Sequence, residues 1–191
     1  MRRRHRIRAA TGQRNPTRPQ LLRMIECLAI AAMAFLPLSS AVSSENDQAQ
    51  QILGNTGVRG GLIVHLGCGD GRLTAALLTK DSFLVHGLDT DPDNVAAARR
   101  HLRCLGLYGR VSVEPWRGNR LPYADNLVNL LVAEKLGDVP LAEVLRVLCP
   151  QGVALVGEAG NPARGLTGDK VTLAGQSWRK ITKPRPETMD E

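Results

Sequence analysis

Nine residues, Val64-His65-Leu66-Gly67-Cys68-Gly69-Asp70-Gly71-Arg72, place three glycines at alternate positions directly behind a short apolar run. Glycine at such a place lets the backbone come close to a ligand and adopt positive φ, which other residues resist. A helix opening behind the turn would offer unpaired backbone N–H groups, a setting that favours a phosphate or a carboxylate. The spacing Gly67-x-Gly69-x-Gly71 departs from the dinucleotide pattern G-x-G-x-x-G, whose third glycine falls one residue later, so a nicotinamide-dependent oxidoreductase is disfavoured.

A second group is Asp89, 18 residues beyond Gly71 and at the end of the next apolar run. In an open α/β sheet a carboxylate at the end of the second strand lies beside the crevice where ligands bind, and can accept hydrogen bonds from ribose hydroxyls. Each feature alone has an ordinary structural explanation, a tight turn or a helix cap. In this order and at this spacing they point together to a nucleoside-type ligand.

Such groups need a sheet to hold them. From residue 61 the chain alternates short apolar runs with helical patterns, the signature of a parallel sheet covered by helices. Strands are expected over 61–66, 82–88, 110–114, 127–132 and 153–156, the fourth apolar enough to be buried on both faces. One helix runs through Leu73, Ala76 and Leu77; another starts at Pro92, with Asp91 as cap and Val95, Ala98, Leu102 and Leu105 on one face. A third spans 141–148 and is ended by Pro150 and Gly152. Two short strands around 171–173 and 178–181 would make a closing hairpin. The fold class is therefore α/β: a Rossmann-like, doubly wound, mostly parallel sheet with helices on both faces.

The chain of 191 residues carries a formal charge of +7, but the excess sits at one end. Residues 1–23 hold eight arginines and no acid, while the remaining 168 hold 17 basic and 18 acidic side chains. The body thus lacks an electrostatic footprint for nucleic acid, and no such partner is expected. The four cysteines contain no C-x-x-C pair, which disfavours zinc modules and dense disulfide scaffolds, and no metal site is expected.

Behind the arginines come twelve uncharged residues, Cys27 to Leu38, and then Ser39-Ser40-Ala41. Basic, apolar and small, in that order, is the layout of a secretory signal peptide. Residues 1–41 are read as that signal, with export to the periplasm or cell envelope; the alternative is an uncleaved anchor that leaves the domain on the cytoplasmic face. Membrane contact is expected through this segment only. Residues 42–57, rich in Ser, Gln and Asn, read as a linker, 58–183 as the domain, and 184–191 as a tail.

Four blocks of the body resemble the class I S-adenosylmethionine-dependent methyltransferases, in particular the methyltransferase type 11-like group. They are Leu66-Gly67-Cys68-Gly69-Asp70-Gly71, Gly87-Leu88-Asp89-Thr90-Asp91, Leu121-Pro122-Tyr123-Ala124-Asp125-Asn126, and Glu143 to Gly152. The resemblance implies S-adenosylmethionine as cofactor, with Gly67, Cys68, Gly69, Asp70 and Gly71 around its methionine part, Asp89 and Thr90 at the ribose, and Glu114 to Trp116 near adenine. It implies no universal catalytic residue, because transfer is an in-line displacement that positioning accelerates. The methyl acceptor is not implied.

Three departures from the family pattern stand out. His65 replaces a usual acid, Asn129 often an Asp, and only about 35 residues follow the fifth strand, so a fold truncated at its C-terminal end is expected. Residues 178–191 look like the junction to a PQQ-binding-like β-propeller in exported bacterial fusion proteins. The departures and the export signal motivate a second reading, a non-catalytic methyltransferase-fold module of an envelope protein. Trp116 and Trp178 are read as packing residues, and Tyr123 either as a neighbour of the acceptor or as core.

Overall fold

The computed structural model of the protein describes residues 39–158 and 167–186. The segment read as a signal therefore lies outside the described residues, apart from 39–41. The elements in chain order are helix α1 (Ser39–Thr56), strand β1 (Gly61–Leu66), helix α2 (Arg72–Ala76), β2 (Phe83–Asp89), α3 (Pro92–Cys104), β3 (Val111–Pro115), β4 (Val128–Ala133), α4 (Leu141–Val147), β5 (Leu148–Gly157), β6 (Asp169–Leu173) and β7 (Gln176–Thr182). Among the described residues no helix is long and apolar enough to cross a membrane.

The strands form one sheet in the order β3-β2-β1-β4-β5-β7-β6. β1 pairs in parallel with both β2 and β4, β2 with β3 and β4 with β5, while β7 runs antiparallel to β5 and β6. The expected hairpin is thus present and brings the sheet to seven strands. The truncation expected at the C-terminal end does not reach the sheet: the 35-odd residues after β5 suffice for both remaining strands.

Side-chain alternation sorts the central strands onto two cores. Ile63, Leu130, Val132, Val153 and Leu155 face α1, α2 and α3, whose Ile52, Leu73, Val95, Ala98 and Leu102 pack against them. Val64, Leu66, Leu131, Ala133, Ala154 and Val156 face α4 and the β3–β4 connection, through Val144, Val147 and Leu121. β4 is buried along both faces, as its unbroken apolar run predicts.

Where the sequence predicts a linker over 42–57, the chain is helical through Thr56. Ala49 and Ile52 are fully buried against the same core as Trp178 and Leu173. Two hydrogen bonds join α1 to the hairpin: the Ala174 N–H donates to Gln51 Oε1 (2.7 Å) and Lys180 Nζ to the Asn55 carbonyl (2.7 Å). α3 follows its sequence signals: Pro92 sits in the first turn and Asp91 caps it by accepting from the Asp93 N–H (2.9 Å). Leu105, expected on its buried face, lies past the helix end and is half exposed.

Candidate functional site

The strand order reverses between β1 and β4, since β2 and β3 follow on one side and β5 on the other. Ligands of open α/β sheets bind at that switch point, beyond the carboxyl ends of the strands. A cleft of about 440 Å³ lies there, lined by Gly67 after β1, by Asp89 and Thr90 at the end of β2, by Trp116, Arg117 and Gly118 after β3, and by Lys135 to Asp138 after β4. Leu66 and Leu88 form its apolar floor. In-register pairing puts Leu66 abreast of both Leu88 and Ala133, and Asp89 abreast of Pro115, so the four loops emerge side by side.

The three glycines of the turn differ in what they face. All have positive φ, +72° at Gly67, +53° at Gly69 and +81° at Gly71. A side chain at Gly71 would lie 2.8 Å from Ala98 Cβ, so this glycine lets α2 pack on α3. A Cβ at Gly67 or Gly69 would meet nothing within 4 Å. Gly67 combines that open side with a place on the cleft wall, where backbone can approach a ligand.

Asp89 holds the turn as well as facing the cleft. It is almost fully buried; its Oδ2 accepts the Gly69 N–H (2.8 Å), and its Oδ1 accepts the Asp91 N–H (2.9 Å) and Asn94 Nδ2 (3.3 Å). A carboxylate offers about four acceptor positions, so three bonds leave room for a hydroxyl from a ligand. Thr90 reaches the cleft too, and its carbonyl accepts from Arg117 Nε (3.3 Å).

Other expected site residues do different work. The Cys68 side chain turns away from the cleft and lies over Gly87, where an added Cβ would sit 3.0 Å from Cys68 Cβ and 3.1 Å from its sulfur. Burial, reinforced by the Asp89 charge, pushes its thiol up to about 12, so it stays protonated. Asp70 is exposed and secures the start of α2, accepting from the Arg72 N–H (3.1 Å) and pairing with Arg72 Nε (2.9 Å). Glu114 points to α3, where it pairs with Arg99 (2.8 Å). Trp116, two residues on and read as a packing residue, lines the cleft; its indole donates to the Arg120 carbonyl (2.9 Å) and its own N–H to that of Asp89 (2.8 Å).

His65 is buried beneath the turn and shares a 2.8 Å hydrogen bond with Thr74 of α2. Desolvation takes its pKa down to about 4 against the opposing pull of Asp89, which leaves the ring neutral at pH 7. Asn129 lies at the other end of the sheet, where its Oδ1 accepts the Leu62 N–H (2.9 Å) and ties β4 to β1. Tyr123 is half-buried; its hydroxyl shares a 2.8 Å hydrogen bond with His86, whose pKa burial lowers, and the rings meet edge to face.

The third and fourth sequence blocks join in a clasp. Arg146 of α4 donates to both oxygens of Glu143, to Asp125, and to the carbonyls of Tyr123 (2.9 Å) and Leu121 (3.2 Å). Glu143 in turn accepts the Leu121 N–H (2.7 Å), and the Arg146 bond holds its carboxyl below the usual range. This clasp fixes the β3–β4 connection, which carries Trp116 and Gly118 to the cleft. Lys135 to Asp138 escaped sequence reasoning, because they form no motif; the signal that could have found them is their place just past the fourth strand.

Residues 63–152 match the methyltransferase domain family. The curated methyltransferase GfsG of Streptomyces halstedii is 28% identical over 129 residues, 64% of this chain, and the chain spans about half (46%) of its length. A structure from Methanococcus maripaludis, assigned as an S-adenosyl-L-methionine-dependent methyltransferase, superposes with TM-score 0.64 over 95% of this chain and all (100%) of that one, at 15% identity. Geranyl diphosphate methyltransferase in complex with S-adenosylmethionine superposes with TM-score 0.52 over 62% of this chain and 53% of that one, at 22% identity. These likenesses show the Rossmann-like α/β fold, with the seven strands described above.

Proposed function

We propose that the domain binds S-adenosylmethionine in the cleft at the β1–β4 switch point and transfers its methyl group to an acceptor held alongside. The observation that carries this is the open side of Gly67 facing the same cleft as the Asp89 carboxylate. The residues suit the cofactor in kind: glycine backbone for the methionine part, a carboxylate with an acceptor position left for ribose, and the Trp116 ring as an apolar wall for adenine. When bound, the cofactor would supply an electrophilic sulfonium methyl to an acceptor lone pair, the carbon–sulfur electron pair being left on sulfur and the acceptor's proton being released to solvent. The protein's part is to orient the reactants. The Asp89 and Gly69 bond fixes the turn, and the Arg146 clasp fixes the opposite lip.

Calorimetric titration of S-adenosylmethionine into the full chain tests this, with Asp89→Asn as the comparison and circular dichroism to show that both proteins are folded. Saturable binding weakened at least about tenfold in the variant is expected, as for loss of a charge-assisted hydrogen bond. A folded wild-type protein that binds no cofactor overturns the reading.

One observation favours a second reading, a domain that keeps the fold without transfer. His65, in the place of a usual acid, is spent on Thr74 beneath the turn. Cofactor binding without methyl transfer to any acceptor would support it. We extend the proposal to location: the basic, apolar, small order of residues 1–41 supports export, and cleavage after Ala41 would spare the α1 residues Ala49 and Ile52 that pack in the core. The likeness of residues 178–191 to a propeller junction supports a place beside such a domain in an envelope assembly. Cell fractionation with N-terminal mass analysis checks the export; a cytosolic chain with an intact N-terminus counters it.

A further inference from the structure

A second cavity, of about 400 Å³, lies at the same end of the sheet, between the β4–α4 loop and the tip of the β6–β7 hairpin. It is lined by Glu134, Lys135, Gly157, Gly175, Gln176 and Ser177, with more apolar than polar surface and a few polar groups among it. The volume is that of a small-molecule site. Two glycines shape it. A Cβ at Gly157 would lie 2.6 Å from the Glu134 carbonyl, so this glycine lets the ends of β4 and β5 close together, and Gly175 turns the hairpin with φ +76°.

Lys135 lines both this cavity and the cofactor cleft, and so marks where the two meet. Among the described residues it has no hydrogen-bond or ion-pair partner, whereas Lys170 and Arg179 of the hairpin both pair with Glu158 (2.9 and 2.7 Å). An ammonium without a fixed counter-charge, at the seam between two cavities, is suited to an anionic group brought by a ligand.

Resting on the reading of the cleft as the cofactor site, we propose that this second cavity receives the methyl acceptor, and that the acceptor is a small molecule bearing a carboxylate or phosphate that Lys135 anchors. Transfer needs the two reactants side by side, and the shared lysine is where they adjoin. Gln176 and Ser177 offer hydrogen bonds to the polar remainder of such a molecule.

The test uses the full chain with its lysines reductively methylated with ¹³C, the Lys135 signal identified by its absence in Lys135→Gln. Calorimetry first establishes that S-adenosylhomocysteine binds, which reads the cofactor site independently. The saturated complex is then titrated with acetate, and separately with methyl phosphate, at constant ionic strength. A saturable shift of the Lys135 signal, absent from the other lysine signals, is expected with at least one of the two anions. A common drift of all lysine signals, or a silent Lys135, overturns the proposal. So does a Lys135 signal that moves on adding S-adenosylhomocysteine and then ignores both anions, since the lysine would then serve the cofactor's own carboxylate.

Discussion

The two ends of β1 and β4 carry similar parts and use them oppositely. At the amino end, Gly61 has φ +97° and a side chain there would overlap the Asn129 amide, which itself accepts the Leu62 N–H. At the carboxyl end, Gly67 has φ +72° with nothing within 4 Å of a Cβ, and the polar group beside it, Asp89, has acceptor capacity left. A glycine whose space is filled by its own protein is structural, and a glycine whose space is open onto a cleft is ready for a ligand. Within the glycine turn the same contrast separates Gly71, which meets Ala98, from Gly67.

The largest effect is expected at the filled end. Gly61→Ala must displace Asn129 and hold alanine at positive φ, two costs that together come to about 2–4 kcal/mol. Urea denaturation should show that loss while S-adenosylmethionine affinity of the folded protein stays the same; a change confined to affinity would invert the comparison.

Next in size is the pH dependence from His65, which lies beneath the open end. Its folded pKa of about 4 is below the unfolded value of 6.5, so the unfolded chain binds the proton more readily. The contribution is therefore complete above pH 6.5 and falls away as pH drops toward 4, by about 3 kcal/mol over the window. His86, also lowered by burial, adds in the same direction. Urea midpoints at pH 7 and 4.5 should differ more in the wild type than in His65→Gln; equal slopes would mean that the ring is not desolvated as described.

The smallest stability effect belongs to the open end. Gly67→Ala bears only the backbone cost, about 1–2 kcal/mol, since no atom is in its way. Its consequence for S-adenosylmethionine should be larger, a loss of about tenfold or more in affinity, because the methyl group occupies ligand space. Calorimetry beside urea denaturation separates the two quantities. A variant that binds as well as wild type would remove Gly67 from the site.

How legible these regions were depends on what each residue's role required. β1 and β4 show as apolar runs because both their faces are buried, β2 because its inward face is, and the turn and Asp89 show because backbone geometry limits the residues that fit. α1 does not show: Ser, Glu, Asn, Asp and Gln dominate it, and among its described side chains Ala49, Ile52 and Leu53, near its end, meet the core. The hairpin is visible through Trp178 and Ile181, two inward positions on one short strand, although its role in completing the sheet is not. Cys68 and Glu114 sit within motifs but turn elsewhere, toward Gly87 and Arg99, directions set by tertiary packing rather than by local pattern. Lys135 to Asp138 reach the cleft only because the strand order brings β4 beside β1.

The contrast between the two ends is tested most directly by titrating S-adenosylmethionine into ¹⁵N-labelled full chain and following the backbone amides and the Trp116 indole. Saturable shifts concentrated at Gly67, Asp89, Thr90 and Trp116, with Gly61, Leu62 and Asn129 unmoved, are the predicted result. Shifts centred on Gly61 and Asn129, or no saturable shift at either end, would contradict the assignment of the cofactor to the open end of the sheet.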